Sequence, residues 1–219
     1  MKISKRLQAI ADFVDQDAII ADIGCDHAQL ACALVNDGIA KKAYACDIGR
    51  EPLEAAKKTI ERSECTDKVE AILCDGLELV PADADIFIIA GMGFETIKHI
   101  LENSEDKLKQ ARKIIIQSNK DVEKLRMFIS EKRYHIQEEV VVHDHHYYQI
   151  LVFDVACDEP LSNDEIMFGR RMVKNSVFHQ FWFSQLKKFE EIYAGMEKEG
   201  SKKQAIGEII ERIQKEIGV

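Results

Sequence analysis

The stretch AIIADIGCDHAQLACAL, residues 18–34, sets two carboxylates and an imidazole around a single glycine, between an apolar strand-like run and a helix-like one. Asp22 closes the strand, Gly24 opens the turn, and Asp26 and His27 stand just before the helix. A dinucleotide site would read GxGxxG here, with glycines that admit a pyrophosphate to the helix N-terminus. This chain reads GCDHAQ, and Asp26 would repel a phosphate. A ligand of cationic character suits the turn better. S-adenosylmethionine carries a sulfonium, an ammonium and a carboxylate but no phosphate, so acidic side chains and free backbone N–H groups would match it. The competing structural reading makes Asp26 a helix cap and His27 a solvated first-turn residue.

Further candidates fall at the ends of later strand-like runs. Asp47 closes the second, roughly 20–25 residues past the first, where an acidic side chain can accept both ribose hydroxyls of a nucleoside. NAD and S-adenosylmethionine would both be served by it. The third run ends in CDG, where Asp75 and the Gly76 backbone fit an adenine edge or an ordinary Asp-Gly turn. The fourth runs into AGMGF, residues 90–94, whose Gly91 and Gly93 let backbone approach a reacting ligand closely. An NPPY-like signature of adenine-N6 methyltransferases is absent there. The fifth ends in IIIQSN, so Gln117, Ser118 and Asn119 either reach substrate or form a turn and a helix cap. VHDHH, residues 142–146, lacks the cysteine or helical HxxxH that would complete a metal site and reads as a polar hairpin tip; no metal is expected. No serine lies in a G-x-S-x-G elbow.

The elements that must position these residues alternate. SKRLQAIADFV has helical spacing with Ser4 as N-cap. The runs AIIADI, KAYACDI, KVEAILCD, DIFIIAG and KIIIQS then alternate with AQLACALVND, EPLEAAKKTIERSE, ETIKHILENSEDKL and DVEKLRMFISEKR. Short, nearly continuous apolar strands separated by helices predict an α/β doubly wound, mostly parallel sheet. YHIQEEVVVHDHHYYQILVFDVA then predicts a β-hairpin, an ending typical of methyltransferases rather than dehydrogenases. DEPLSNDE marks a boundary, which gives domains over residues 1–158 and 159–219. In the second, Phe178, Trp182, Leu186, Phe189, Tyr193 and Met196 form one stripe. Ile206, Ile209, Ile210, Ile213 and Ile217 form another, after a break at Gly200-Ser201. The pattern predicts an antiparallel, coiled-coil-like helical hairpin.

The 219 residues, 46% hydrophobic and 32% charged, are ordinary for a globular chain, and six cysteines without a CxxC pair read as reduced thiols. With no signal-peptide pattern and no membrane-length apolar run, a cytoplasmic location is expected. The net charge of −9 is uneven, with ten basic and nine acidic residues over 161–219 and a net of −10 before them. Indiscriminate nucleic-acid binding is disfavoured; a local basic patch is not.

SKRLQAIADFV, ADIGCDHAQLACALVNDGIAKKAYACDI, CDGL, IAGMG and the helical tail together resemble the TrmK family, bacterial tRNA (adenine-N1)-methyltransferases that act on adenine 22 of the D arm. The likeness covers essentially the whole chain. It implies a class I, Rossmann-like methyltransferase fold that binds S-adenosylmethionine at the strand C-termini. By this resemblance Asp22, Gly24 and His27 line the methionine part, Asp47 the ribose, and Asp75 with Gly76 the adenine, with Ile48 also among the cofactor-binding residues. Asp26, Gly91, Met92 and Gly93 would face the reacting base. Family members read GMGG and often Q-P after the fifth strand, whereas this chain has Gly93-Phe94 and Gln117-Ser118. Transfer to N1 needs no prior deprotonation, so catalysis should rest on positioning and electrostatics, with the base displaced from its stack. Asp26 would stabilise the developing positive charge.

For the tRNA partner, Lys5, Arg6, Arg170, Arg171, Lys174, Lys187 and Lys188 are the candidate phosphate grips. Phe181, Trp182 and Phe183 read as hairpin core rather than stacking platforms. No obligate protein partner is implied. The alternatives are a methyltransferase for a protein or small molecule, and a non-catalytic S-adenosylmethionine-binding module.

Overall fold

The computed structural model describes residues 1–196 and 200–219. A helix, α1 (Lys5–Ala11), precedes β1 (Ala18–Ile23), and α2 (Gln29–Asn36), β2 (Ala40–Asp47), α3 (Arg50–Arg62) and β3 (Val69–Leu73) follow. The second half of the sheet comes from β4 (Ile86–Met92), α4 (Phe94–Glu102), α5 (Glu105–Leu108), β5 (Lys113–Ser118) and α6 (Val122–Glu131). The hairpin β6 (Tyr134–Asp144) and β7 (His146–Cys157) closes it, followed by α7 (Asn163–Phe168), α8 (Ser176–Ala194) and α9 (Ser201–Ile217). One seven-stranded sheet has the order β3-β2-β1-β4-β5-β7-β6. β1 to β5 pair in parallel, and β7 inserts antiparallel between β5 and β6.

The continuous apolar strands are buried on both faces, as their composition predicts. Ile20, Ile86, Ile88 and Ile115 pack with Ile10, Leu30, Leu34 and Ile60 from α1, α2 and α3. Phe87, Ile89, Ile114 and Ile116 face Ile97, Leu101, Leu125 and Ile129 from α4 and α6. Each such fully buried side chain stabilises by about 1.5–3 kcal/mol. The strand order reverses between β1 and β4, so their carboxyl ends part and leave a crevice beside α1 and α2.

Ser4 caps α1 as expected, its Oγ accepting from Leu7 N at 3.2 Å. ETIKHILENSEDKL does not run as one helix: the chain leaves helical geometry at Ser104 (φ −126°, ψ 18°), and α5 is a separate short turn.

The chain divides into two compact units, Met1–Met172 and Val173–Val219, so the break falls later than residue 158. Residues 159–172 belong to the first unit because polar contacts bind them there. Arg126, fully buried on α6, donates to Glu139 Oε2 at 2.7 Å and to the carbonyls of Ile166 and Met167 at 3.1 Å each. Glu139 in turn accepts from Arg170 N at 2.9 Å. In the second unit, Lys174 before α8 pairs with Glu216 at the end of α9 at 2.6 Å, so the helices run antiparallel. Phe178, Trp182, Leu186 and Ile213 are buried there, Phe181 is half-buried and Phe183 is exposed. The Phe183 ring lies 4.7 Å beneath Lys187 Nζ rather than in the hairpin core.

Candidate active site

The turn after β1 winds tightly. Gly24, Asp26 and Ala28 all have positive φ, at 71°, 50° and 51°. A left-handed backbone at alanine costs about 1–2 kcal/mol, so the packing around Ala28 must hold it. Gly24 is required twice over, since a Cβ there would lie 2.2 Å from Met92 Cε. That contact brings the turn after β1 against the AGMGF segment after β4.

Cys46 O accepts from both Gly24 N (2.9 Å) and Cys25 N (3.0 Å). Asp26 N donates to Asp47 Oδ2 at 3.3 Å, and Ala28 N to Cys25 O at 2.8 Å. The N–H groups of Gly24, Cys25 and Asp26 are thus committed to β2 and that of Ala28 to the turn itself, so these four do not meet a ligand carboxylate. The cation comes from α1. A cleft of about 150 Å³ is lined by Arg6, Asp22, Gly24, Asp26, His27 and Ala90, among others. Ligand sites of whole drug-sized molecules run to about 300–1,000 Å³; this cleft has room for one end of such a ligand.

Asp22 is 5% exposed, and burial pushes its carboxyl up to about 7; nearby Arg6 pulls it down and Asp47 pushes it up. A buried carboxylate in want of a cation, with a guanidinium beside it, is complementary to an ammonium and a carboxylate on one ligand. His27 and Asp26 are exposed at the mouth, their side chains 3.6 Å apart.

Arg6 is held by three elements. Its Nη1 donates to Gln117 Oε1 at 2.7 Å, its backbone N to Asp144 Oδ2 at 3.1 Å, and its guanidinium lies 5.6 Å over the Tyr148 ring. Gln117, fully buried, also accepts from Gly91 N at 3.2 Å and donates to Asn119 Oδ1 at 3.0 Å. Asn119 Nδ2 donates back to Gly91 O at 2.6 Å. Gln117 and Asn119 thus fix Gly91 (φ 81°) at the bulge between Ala90 and Met92, and Gly93 begins α4 as its N-cap.

The nucleoside candidates lie outside the lining of that cleft. Asp47 Oδ1 accepts from Gly49 N at 2.8 Å, and Ile48 beside it is 69% exposed, an apolar side chain without a core to enter. Asp75 and Gly76 line a second cavity of about 320 Å³ with His99 and Ile100.

Of the expected phosphate grips, Lys5, Arg171, Lys187 and Lys188 are exposed. Arg170 is not available, because its guanidinium donates to Glu165 and Asp158 at 2.9 Å each and to the carbonyls of Glu159 and Pro160. Lys174 is committed to Glu216, and Arg6 to the cleft. Arg6's true neighbours lie 111 and 138 residues away in sequence, and no local pattern announces them.

Among the described residues, no group of three His, Cys, Asp or Glu side chains is placed to hold a metal. Nor is any helix long and apolar enough to cross a membrane. The cysteines are free thiols, all buried except Cys157.

Residues 20–216 match the family described as TrmK, tRNA (adenine(22)-N(1))-methyltransferase. A Bacillus subtilis protein of that name is 33% identical, over 98% of this chain and 95% of the relative. The Mycoplasma capricolum TrmK structure, a complex with S-adenosyl-homocysteine, aligns at a TM-score of 0.87 and 32% identity, covering 100% of this chain and 99% of that one. A Streptococcus pneumoniae protein in complex with S-adenosyl-L-methionine aligns at 0.89 and 31%, covering 99% and 100%. With the cleft formed by Asp22 and Arg6 and a methyltransferase topology already in place, these matches make the chain a member of the TrmK family of tRNA (adenine(22)-N(1))-methyltransferases.

Proposed function

We propose that this enzyme methylates N1 of adenine 22 in the D arm of tRNA, with S-adenosylmethionine as methyl donor. The observation that carries the reading is the juxtaposition of buried Asp22, Arg6 and the Gly91–Gly93 segment at the crevice between β1 and β4.

Asp22 would receive the donor's ammonium and Arg6 its carboxylate, a reassignment of Arg6 from RNA contact to donor binding. Asp47 would accept the ribose hydroxyls, Ile48 would lie against the adenine, and Asp75 with Gly76 would read its edge. When bound, S-adenosylmethionine supplies an electrophilic methyl group. Adenine N1 already holds an in-plane lone pair, so no side chain need remove a proton first. What the chain must do is orient the base and accommodate positive charge on it. Gln117 and Asn119 hold Gly91 so that backbone can approach the base closely, while Asp26, exposed and with a left-handed φ of 50°, presents its carboxylate at the mouth. N1 lies on the Watson–Crick edge, so the base must leave its stack at a cost of a few kcal/mol. The reaction belongs where tRNA is, in the cytoplasm, and needs no obligate protein partner. Exposed Lys5, Arg171, Lys187 and Lys188 are the remaining phosphate contacts.

Incubation with unmodified tRNA and radiolabelled S-adenosylmethionine, followed by nucleoside analysis, tests this reading. Label in 1-methyladenosine, lost on an A22→G transcript, is expected. Donor binding without label in any tRNA would overturn the RNA assignment and favour a protein substrate or a binding module.

A further inference from the structure

Two residues depart from the family's motifs near the substrate side, Phe94 and Ser118, and the fold gives them different tasks. Phe94 turns inward and is buried in the core that also holds Ile97, Leu125 and Ile129. Ser118 acts on the loop that follows it. Its Oγ donates to Lys120 O at 2.7 Å, a bond that a proline at this position could not make. Asn119 N donates to Met92 O at 2.8 Å, so residues 118–120 are tied to the AGMGF segment. The Lys120 side chain then lies across that segment: a Cβ on Gly93 would stand 3.1 Å from Lys120 Cε and 3.9 Å from its Cγ. Its ammonium is one bond beyond Cε, at the carboxyl edge of β4 and β5. Lys120 is exposed, and among the described residues no carboxylate pairs with it. Its chain neighbour Asp121 is taken by Lys124 at 3.3 Å.

We propose that Lys120 binds a backbone phosphate of the tRNA beside the target adenine. The proposal rests on the tRNA reading above and adds a named contact to it. Methylation leaves the base cationic, so an ammonium beside Gly93 would oppose the reaction unless an anion met it. The described residues supply no such anion, whereas a nucleotide withdrawn from its stack brings its own phosphodiesters to the rim of the site. Lysine fits that task because it acts as a point charge and needs no planar, two-pronged partner. Its root is fixed here: Ser118 and Asn119 hold the backbone, and Gly93 gives the methylenes a surface to lie on. Less rotamer freedom is then lost when the ammonium closes on a phosphate. Arg6, a second cation near this segment, is committed to Gln117 and the donor cleft.

Filter binding of unmodified tRNA over a series of KCl concentrations, together with steady-state methylation, compares Lys120→Ala and Lys120→Arg with the wild-type enzyme. Each phosphate contact contributes about one to the slope of log K against log salt, so the slope for Lys120→Ala should be shallower by about one. Its KM for tRNA should rise about tenfold at low salt, the order expected for one charge-assisted hydrogen bond. Lys120→Arg should stay near wild type in both measurements, and Kd for S-adenosylmethionine should be unchanged in either variant. A folded Lys120→Ala enzyme with the wild-type slope would overturn the proposal, whether or not its KM rises, because a steric or structural loss leaves counterion release untouched. A wild-type enzyme that binds donor but labels no tRNA is a different failure, that of the tRNA reading, and the proposal falls with it.

Discussion

Asp22→Asn should separate the demands of folding from those of donor binding. Burial lifts this carboxyl from the ordinary 3.8 to about 7, which corresponds to about 4 kcal/mol against the ionised form inside the fold. The folded state therefore holds the proton more tightly than the unfolded chain. The stability contributed by the neutral carboxyl is fully present below pH 3.8 and is lost as pH rises through about 7. Asparagine cannot ionise, so the variant should not show that decline. At pH 8, without donor, we expect it to melt several degrees above the wild type, at about 2–4 °C per kcal/mol for a chain of this size. At pH 5 the two should lie much closer. Donor binding should move the other way. Loss of the carboxylate that faces an ammonium in a buried site costs about 2–5 kcal/mol, so Kd for S-adenosylmethionine at pH 8 should rise about 30-fold or more. Scanning fluorimetry at both pH values and titration calorimetry with the donor measure the two effects. A variant less stable than wild type at pH 8, or a melting difference independent of pH, would refute the account of Asp22 as a strained acid kept for its ligand.

Three further outcomes are expected. Asp26→Asn, which retains a residue tolerant of left-handed backbone, should lower kcat about tenfold and leave donor affinity alone; full turnover would remove Asp26 from the acceptor side. Arg126→Met leaves Glu139 charged and fully buried without its partner, so it should destabilise by about 3–5 kcal/mol in chemical denaturation, and Arg126→Met/Glu139→Leu should recover much of that. Arg170→Ala should lower the melting temperature because it removes hydrogen bonds to Glu165 and Asp158, while the tRNA KM stays within twofold of wild type. A large rise in that KM with unchanged melting would restore Arg170 to the RNA contacts.

Sequence by itself determined the parts of this protein that rest on short-range physics. Unbroken apolar runs such as DIFIIAG and KIIIQS have no polar face to turn outward, which demands a sheet covered on both sides. Ser4 and Gly24 stand where a cap and a positive φ are needed, and the acidic turn after β1 excluded a pyrophosphate without any structure. Where local pattern is the whole cause, the sequence suffices. Tertiary structure decided what depends on distant neighbours. Arg6 reads as one more surface cation until Gln117, Asp144 and Tyr148 close round it. Arg170 likewise reads as a phosphate ligand until Asp158, Glu165 and the carbonyls of Glu159 and Pro160 engage its guanidinium. The N–H groups of the turn read as open to a ligand because nothing local shows that Cys46 O accepts from both Gly24 N and Cys25 N. A charged side chain or a backbone amide takes its role from whatever partner the fold brings within about 3 Å, and for Arg6 those partners lie 111 and 138 residues away.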